Sequence, residues 1–220
     1  MLKKPFPIDT AVSILKQSIK KFEEPVTGKL ARKTRDPFLV LVSCVLSART
    51  KDAATREAGD SLFAVAKTPQ AIAALGTARL EKLIYPVGFY KTKARHLKEM
   101  CRRLMKEYGG RVPDSIEELL TLSGVGRKTA NLVVTLAFRK PGICVDIHVH
   151  RISNRFGYVN TKMPEQTEWV LREKLPKKYW MIWNDLLVPF GQNLCQPVSP
   201  WCSRCDLRPY CPRKGVVRSR

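Results

Sequence analysis

The sequence has no long apolar run. Its longest nearly uninterrupted one, Phe38 to Ala48, has 11 residues, whereas a membrane span needs about 20. That excludes an integral membrane protein built on helical spans. The opening Met1-Leu2-Lys3-Lys4 has no apolar core behind it, because Pro5, Pro7 and Asp9 stand there instead. A secretory signal is therefore not expected, and an intracellular location is (cytoplasm or nucleoid in a prokaryote). There is no convincing run of alternating polar and apolar residues, which argues against half-buried strands. No repeat period and no low-complexity segment occur. Acidic side chains are scarce: 19 Asp and Glu against 40 Lys and Arg, a net charge of +21.

The 220 residues suit one large domain or two small ones. Hydrophobic residues make up 44%, ample for a packed core, so a disordered basic tail is excluded. The charge is spread along the chain. Residues 1–35 carry nine basic and three acidic side chains, a net of +6. A folded protein this basic implies a polyanionic partner. Nucleic acid comes first, because neutralising phosphates releases counterions. An anionic membrane surface comes second, and a basic surface kept for solubility is the plain alternative.

Helical patterning covers nearly the whole chain, so the predicted class is all-α. Ala11, Ile14, Leu15, Ile19 and Phe22 share one helix face. Asp36-Pro37 reads as an N-cap with Pro at the first helical position, leading into a buried helix to about Ser47. Asp52 is expected to cap the next helix, which reaches Leu62 and Phe63. Thr68-Pro69 opens a short one, and Leu80, Leu83 and Ile84 belong to another. Lys91 to Tyr108 carries Leu97, Cys101, Leu104 and Tyr108 on one face, ended by Gly109-Gly110. Ser115 and Glu118 form a capping-box pattern. Further helices are expected from Gly126 to about Phe138, over 146–157 and 164–175, and from Lys178 to about Leu194.

Three clusters carry chemistry. In Leu122-Ser123-Gly124-Val125-Gly126 two glycines let the backbone turn tightly and approach another surface. The helix beginning near Arg127 then offers backbone N–H groups and its positive dipole end to an anion. A simple helix–helix turn is the alternative. Downstream, Asp146 can cap a helix, with His148 and His150 close by. In a helix these two point in different directions, so a paired metal site is not expected. Arg151 and Arg155 lie i,i+4 and can reach phosphate or a carboxylate. Finally, Cys195, Cys202, Cys205 and Cys211 fall within 17 residues. Zinc sites more often pair two short CxxC halves across a longer spacer. Four thiols in one short segment suit an iron–sulfur cluster better. Cys44, Cys101 and Cys144 read as small core residues.

Together these motifs resemble the endonuclease III family of DNA glycosylases. Leu122-Ser-Gly-Val-Gly-Arg-Lys-Thr-Ala-Asn131 resembles its helix-hairpin-helix, and Val145-Asp146-Ile-His148 its Gly/Pro-rich loop with a catalytic aspartate. The four cysteines have the spacing of its cluster. The likeness runs from about Asp36 to Cys211, with the motifs in the family's order. It implies two all-α lobes. One spans 30–138; the other comprises 1–29 and 139–220, with a [4Fe–4S] loop at 195–211. DNA would lie between them, bound by a monomer with no membrane partner.

The resemblance also assigns roles. Lys128 is the nucleophile toward C1′ of a damaged nucleotide, since a neutral amine can form a Schiff base. Asp146 stabilises positive charge on the sugar as the base leaves. Residues 139–145 are long enough, at roughly 3.3 Å each, to bring the chain back to the start of the Arg127 helix. Leu122, Gly124, Val125, Gly126 and Arg127 would hold DNA phosphate. The resemblance puts His148 near the active site, with a packing role as the alternative, and His148 and Arg151 are expected to contact DNA. Leu46 to Asp52 is similar to the segment that fills the gap left by a flipped base. There Arg49 replaces the usual glutamine and can donate twice to a guanine edge. Val87-Gly88-Phe89-Tyr90 is similar to the loop that carries an apolar wedge, which would be Phe89 here; core packing of Phe89 is the plain alternative. The interval Gln196 to Trp201 lacks the basic residues common in the family, which leaves phosphate contact there open.

The implied activity is a bifunctional DNA glycosylase and abasic-site lyase on oxidised pyrimidines. A mismatch glycosylase removing T or U opposite G is the enzymatic alternative. A non-catalytic helix-hairpin-helix DNA-binding module is the other.

Overall fold

A computed structural model describes residues 6–22, 26–34 and 36–220, and they divide into two units. The described residues of 25–142 form one. Those of 1–24 join Ile143–Arg220 in the other. Both are all-α, with no strand among the described residues. Among the described residues no helix is long and apolar enough to cross a membrane.

First in the chain come α1, Ile8–Ser18, and a 3-10 turn, Ile19–Lys21, which belong to the unit completed by Ile143–Arg220, here the terminal unit. In the 25–142 unit, α2 spans Val26–Thr34. The apolar pattern does not announce this helix, because only Val26, Leu30 and Ala31 are strongly apolar. It seats by its small residues instead: Thr27, Gly28 and Ala31 are buried, and it packs on α3, Pro37–Ser47. Asp36 caps α3 as expected, with Oδ1 accepting from the amides of Phe38 at 2.8 Å and Leu39 at 3.4 Å. Every residue from Phe38 to Leu46 is buried, the mark of a central helix apolar on all sides.

α4, Asp52–Val65, corrects one expectation. Lys51 is its N-cap and no side chain caps it. Asp52 already lies inside the first turn, where its charge complements the helix dipole. α5 is Pro69–Ala74, capped by Thr68 Oγ1 accepting from the Ala71 amide at 3.2 Å. α6 is Thr77–Ile84. The long α7, Tyr90–Tyr108, buries Leu97, Met100, Cys101 and Leu104, while Tyr108 is only half-buried. Gly109 ends α7 at φ 59°, and the Gly110 amide donates back to the Leu104 carbonyl at 2.9 Å, which satisfies an orphan carbonyl of the last turn. α8, Ile116–Leu120, and α9, Arg127–Phe138, follow, with α9 packed on α3.

The terminal unit contains α10, Ile147–Arg155, and α11, Pro164–Lys174. The last long segment opens as a 3-10 turn, Lys177–Tyr179, before α12, Trp180–Asn193. Ala11 and Leu15 of α1, Val149 and Ile152 of α10, and Trp183, Leu187 and Phe190 of α12 share its core. Each fully buried leucine or isoleucine there contributes roughly 2 kcal/mol of transfer free energy. Trp183 satisfies its buried Nε1–H on Ser153 Oγ at 3.3 Å. Cys44, Cys101 and Cys144 are buried, as their surroundings in the sequence suggest.

Candidate functional site

The α8–α9 turn is built by its neighbours. Ser115 Oγ accepts from the Glu118 amide at 3.2 Å and donates to Glu118 Oε2 at 2.7 Å, which starts α8. Leu122 and Val125 are buried. Their amides donate to the carbonyls of Leu119 and Leu122, each at 3.1 Å, so these two residues support the turn from within. Gly124 has φ 79°, and a Cβ there would lie 2.9 Å from His96 Cβ. Only glycine fits. Gly126 differs: its φ is −94°, and a Cβ would meet nothing within 4 Å. It is the N-cap of α9 and supplies no capping side chain. Nothing inside the unit demands a glycine at this position.

One face of α7 grips the turn. Ser123 Oγ donates to Glu99 Oε2 at 2.8 Å, and Arg103 Nη1 donates to the Thr121 carbonyl at 2.5 Å. With His96 against Gly124, the three residues are spaced i, i+3, i+7, one helix face. Arg127 is half-buried and Lys128 exposed in the first turn of α9. The charge of Lys128 reaches Cys44 of α3: burial pushes the Cys44 thiol up to about 12, and Lys128 opposes that.

In the same unit, Arg49 and Phe89 occupy exposed turns, both in the left-handed region, at φ 52° and 58°. Phe89 is 64% exposed, which excludes core packing. The Arg49 guanidinium lies 6.0 Å from the Phe89 ring centroid. Sequence reasoning missed Lys93, whose ammonium lies beneath these turns. The available signal was a lysine on the apolar stripe of α7, four residues before Leu97.

In the terminal unit Asp146 caps α10. Its Oδ1 accepts from the amides of His148 at 2.8 Å and Val149 at 2.9 Å. His148 Nδ1 lies 3.1 Å from Arg151 Nη2. His150 instead pairs with Thr167 Oγ1 at 2.6 Å, so the two histidines have separate partners. Arg151 and Arg155 turn to carbonyls and not to a carboxylate. Arg151 Nη2 donates to Gly191 at 3.1 Å and Cys195 at 3.0 Å. The buried Arg155 donates to Gln196 and Pro197, each at 2.7 Å, and to Cys195 Sγ at 3.3 Å. Arg155 thus clamps the first cysteine interval, a role the sequence did not suggest.

Cys195, Cys202, Cys205 and Cys211 line one cavity walled by Phe156 and Phe190. None is in a disulfide. Burial pushes the Cys205 thiol up to about 11, and the other three cysteines add to it, which places all four within electrostatic reach of one another. Among the described residues no three His, Cys, Asp or Glu side chains form a group able to hold a single ion. Four thiols spaced around an apolar cavity fit a larger, sulfur-ligated group. The interval without basic residues gains them from elsewhere: Arg204 and Arg220 lie 4.4 Å and 4.0 Å from the Trp201 ring centroid.

Residues 42–177 match the model of the HhH-GPD superfamily of base excision DNA repair proteins. The chain is 49% identical over 193 residues to endonuclease III of Thermotoga maritima, covering 86% of this chain and 91% of the relative. A solved structure of a trapped endonuclease III–DNA covalent intermediate matches with TM-score 0.84 and 35% identity, over 94% of both chains. A thermostable thymine-DNA glycosylase matches with TM-score 0.79 and 28% identity, over 94% of this chain and 95% of that one. With the helix-hairpin-helix, the helix-capping aspartate and the four-thiol pocket in place, the chain belongs to the HhH-GPD superfamily of base excision DNA repair proteins, in its endonuclease III branch.

Proposed function

We propose that this protein is a base-excision-repair DNA glycosylase and abasic-site lyase that acts on damaged, chiefly oxidised, pyrimidines in double-stranded DNA. The observation that carries it is the start of α9. Gly126 leaves that helix end without a side-chain cap although a side chain would fit. Backbone N–H groups and the positive dipole end there suit a phosphate. Gly124 and Arg127 flank the position, and Lys128 lies one residue further on.

The reaction needs a nucleophile and a counter-charge. Lys128 Nζ, as the neutral amine, attacks C1′; the glycosidic bond breaks and the damaged base leaves with a proton. The nitrogen lone pair then opens the sugar ring: the C1′–O4′ bond breaks, O4′ takes a proton and a protonated imine forms. This loses a 2′ proton, and the 3′ C–O bond breaks with the phosphate as leaving group. That β-elimination nicks the strand. The Asp146 carboxylate, oriented by the α10 amides, stabilises positive charge on the sugar. Arg49 fills the space of the flipped base, and Phe89 enters between bases as a wedge. His148, held against Arg151, belongs to the surroundings of the Asp146 carboxylate.

The resemblance to endonuclease III implies a [4Fe–4S] cluster. Cys195, Cys202, Cys205 and Cys211 would hold it. Bound there, it supplies thiolate–iron bonds that tie the loop into a fixed shape. Arg155 braces the same loop through three carbonyls and one sulfur.

A second reading keeps the fold and moves the substrate. Arginine at position 49 can donate twice to a guanine edge, and one similar structure is a thymine-DNA glycosylase. Removal of T or U opposite G is therefore the competing activity. Borohydride trapping separates the two. The purified protein is offered duplexes with an oxidised pyrimidine, a G·T or G·U mismatch, or no lesion. A covalent adduct on the oxidised pyrimidine, lost in Lys128→Gln, is the expected result. An adduct on mismatches alone transfers the activity to the second reading. Tight binding with neither adduct nor base release leaves a DNA-binding module.

A further inference from the structure

Arg49 and Phe89 are 40 residues apart, each in a backbone conformation that side chains rarely adopt. Such residues persist only where their surroundings over-determine them. Here one side chain does much of that. The ammonium of Lys93, a residue only 6% exposed, donates to the Leu46 carbonyl at 2.6 Å, the Ala48 carbonyl at 2.7 Å and Thr50 Oγ1 at 2.9 Å. These acceptors bracket Arg49 on both sides. The backbone of Lys93 holds the other turn, its amide donating to the Phe89 carbonyl at 2.9 Å.

The two turns also touch directly. Thr50 Oγ1 accepts from the Gly88 amide at 3.1 Å. A Cβ on Gly88 would lie 2.7 Å from the Arg49 carbonyl oxygen, so glycine is required for the turns to meet. Lys93, Thr50 and Gly88 join the exposed side chains of Arg49 and Phe89 into one two-pronged element. A lysine ammonium with three donors and three acceptors is a complete match, and a buried ammonium without those acceptors would be costly. The clamp is therefore held by both partners.

We propose that Lys93 is a positioning residue for lesion recognition, which keeps Arg49 and Phe89 in register so that gap filling and wedging occur as one event. This rests on the reading of Arg49 and Phe89 given under the proposed function. Lys93 itself touches no substrate; it acts through those two side chains.

The test is a double-mutant cycle on the full-length protein. Lys93→Met keeps the length of the side chain and removes its donors. Thr50→Val breaks the link to Gly88 while keeping volume, and reports on the same clamp if Lys93→Met folds poorly. Base excision from a lesion duplex is measured for each, beside trapping on a duplex with a preformed abasic site. The expected result is about a tenfold loss in base excision, with trapping at the abasic site falling by less than about twofold. Adding Lys93→Met to Arg49→Ala, Phe89→Ala should then cost little more, because the residues act as a unit. Equal losses on both substrates, or full additivity with the Arg49 and Phe89 changes, would overturn the positioning role. A wild-type protein that forms no adduct on either substrate instead sinks the proposed function, so the two failures are distinguishable.

Discussion

Two helix N-termini in this protein use the same electrostatics in opposite ways. α10 is capped from within: Asp146 supplies the anion, and both of its cap bonds fall on Oδ1. α9 begins at Gly126, which supplies none. A helix start that accepts its own carboxylate orients that carboxylate. One that declines a cap keeps its attraction for an external anion. The first arrangement suits a catalytic acid group whose direction matters. The second suits a phosphate of a ligand. The contrast explains why a side chain is required at one position and absent at the other, although sterics permit one at both.

The largest expected effect comes from the residue at the uncapped end. Lys128→Gln should lower strand nicking and borohydride trapping by at least about ten-thousand-fold. Duplex binding in a gel-shift titration should stay within roughly threefold, since the turn proposed to hold phosphate is intact. Nicking at the wild-type rate would remove Lys128 from the mechanism.

At the self-capped end the cap formed by Asp146 can be separated from its proposed catalytic task. Asp146→Asn keeps an oxygen that can accept from the His148 and Val149 amides but loses the charge. Base excision should fall by roughly a hundredfold, with little change in denaturant midpoint. Asp146→Ala should lose the cap as well, costing about 1 kcal/mol of stability on top. If the asparagine variant excises bases as fast as wild type, the carboxylate serves only as a cap.

Converting one end into the other gives the sharpest comparison. Gly126→Asp gives α9 its own anion at a position where a side chain meets nothing. Stability should rise by a few tenths of a kcal/mol, while duplex affinity falls about tenfold. The log–log salt dependence of binding should shallow by about one unit. A variant more stable and equally tight on DNA would show that no phosphate is held there.

The smallest effect is a pH dependence at the clamp. Burial pulls the Lys93 ammonium down to about 8, against its hydrogen bonds to two carbonyls and a hydroxyl, which favour its charged form. Between about 8 and the ordinary lysine value of 10.5 the unfolded chain holds the extra proton. The lysine's own contribution to stability therefore rises with pH across that window, by at most about 1.4 kcal/mol per pH unit. Subtracting the unfolding profile of Lys93→Met from that of wild type isolates this slope. A flat difference curve would place the Lys93 titration outside the window.

Legibility in the sequence followed the range of the interactions. Asp36, Thr68 and Ser115 were readable as helix starts because a cap bonds an amide two or three residues away. Asp52 misled for a related reason: an acid in the first turn and an acid at the cap look alike in sequence, one position apart. α2 escaped because small buried residues, and not large apolar ones, seat it. Of the site, the glycine turn and the four cysteines stood out through residue type at short spacing, whereas Lys128 and Asp146 were singled out by the family resemblance.

What the sequence by itself determined was therefore the helical class, most helix ends, the strongly basic character and the order of the chemical motifs. Each depends on composition or on partners within about one helical turn. Only the tertiary structure decided which cations serve the protein itself and which face outward. Lys93 meets acceptors 43 to 47 residues away, and Arg155 acceptors 40 to 42 residues away. Trp201 receives Arg220 from 19 residues downstream. Among forty basic residues, composition does not distinguish a buried clamp from a surface charge. The distinction is made by desolvation, which admits a cation to the interior only where folding has already gathered its acceptors.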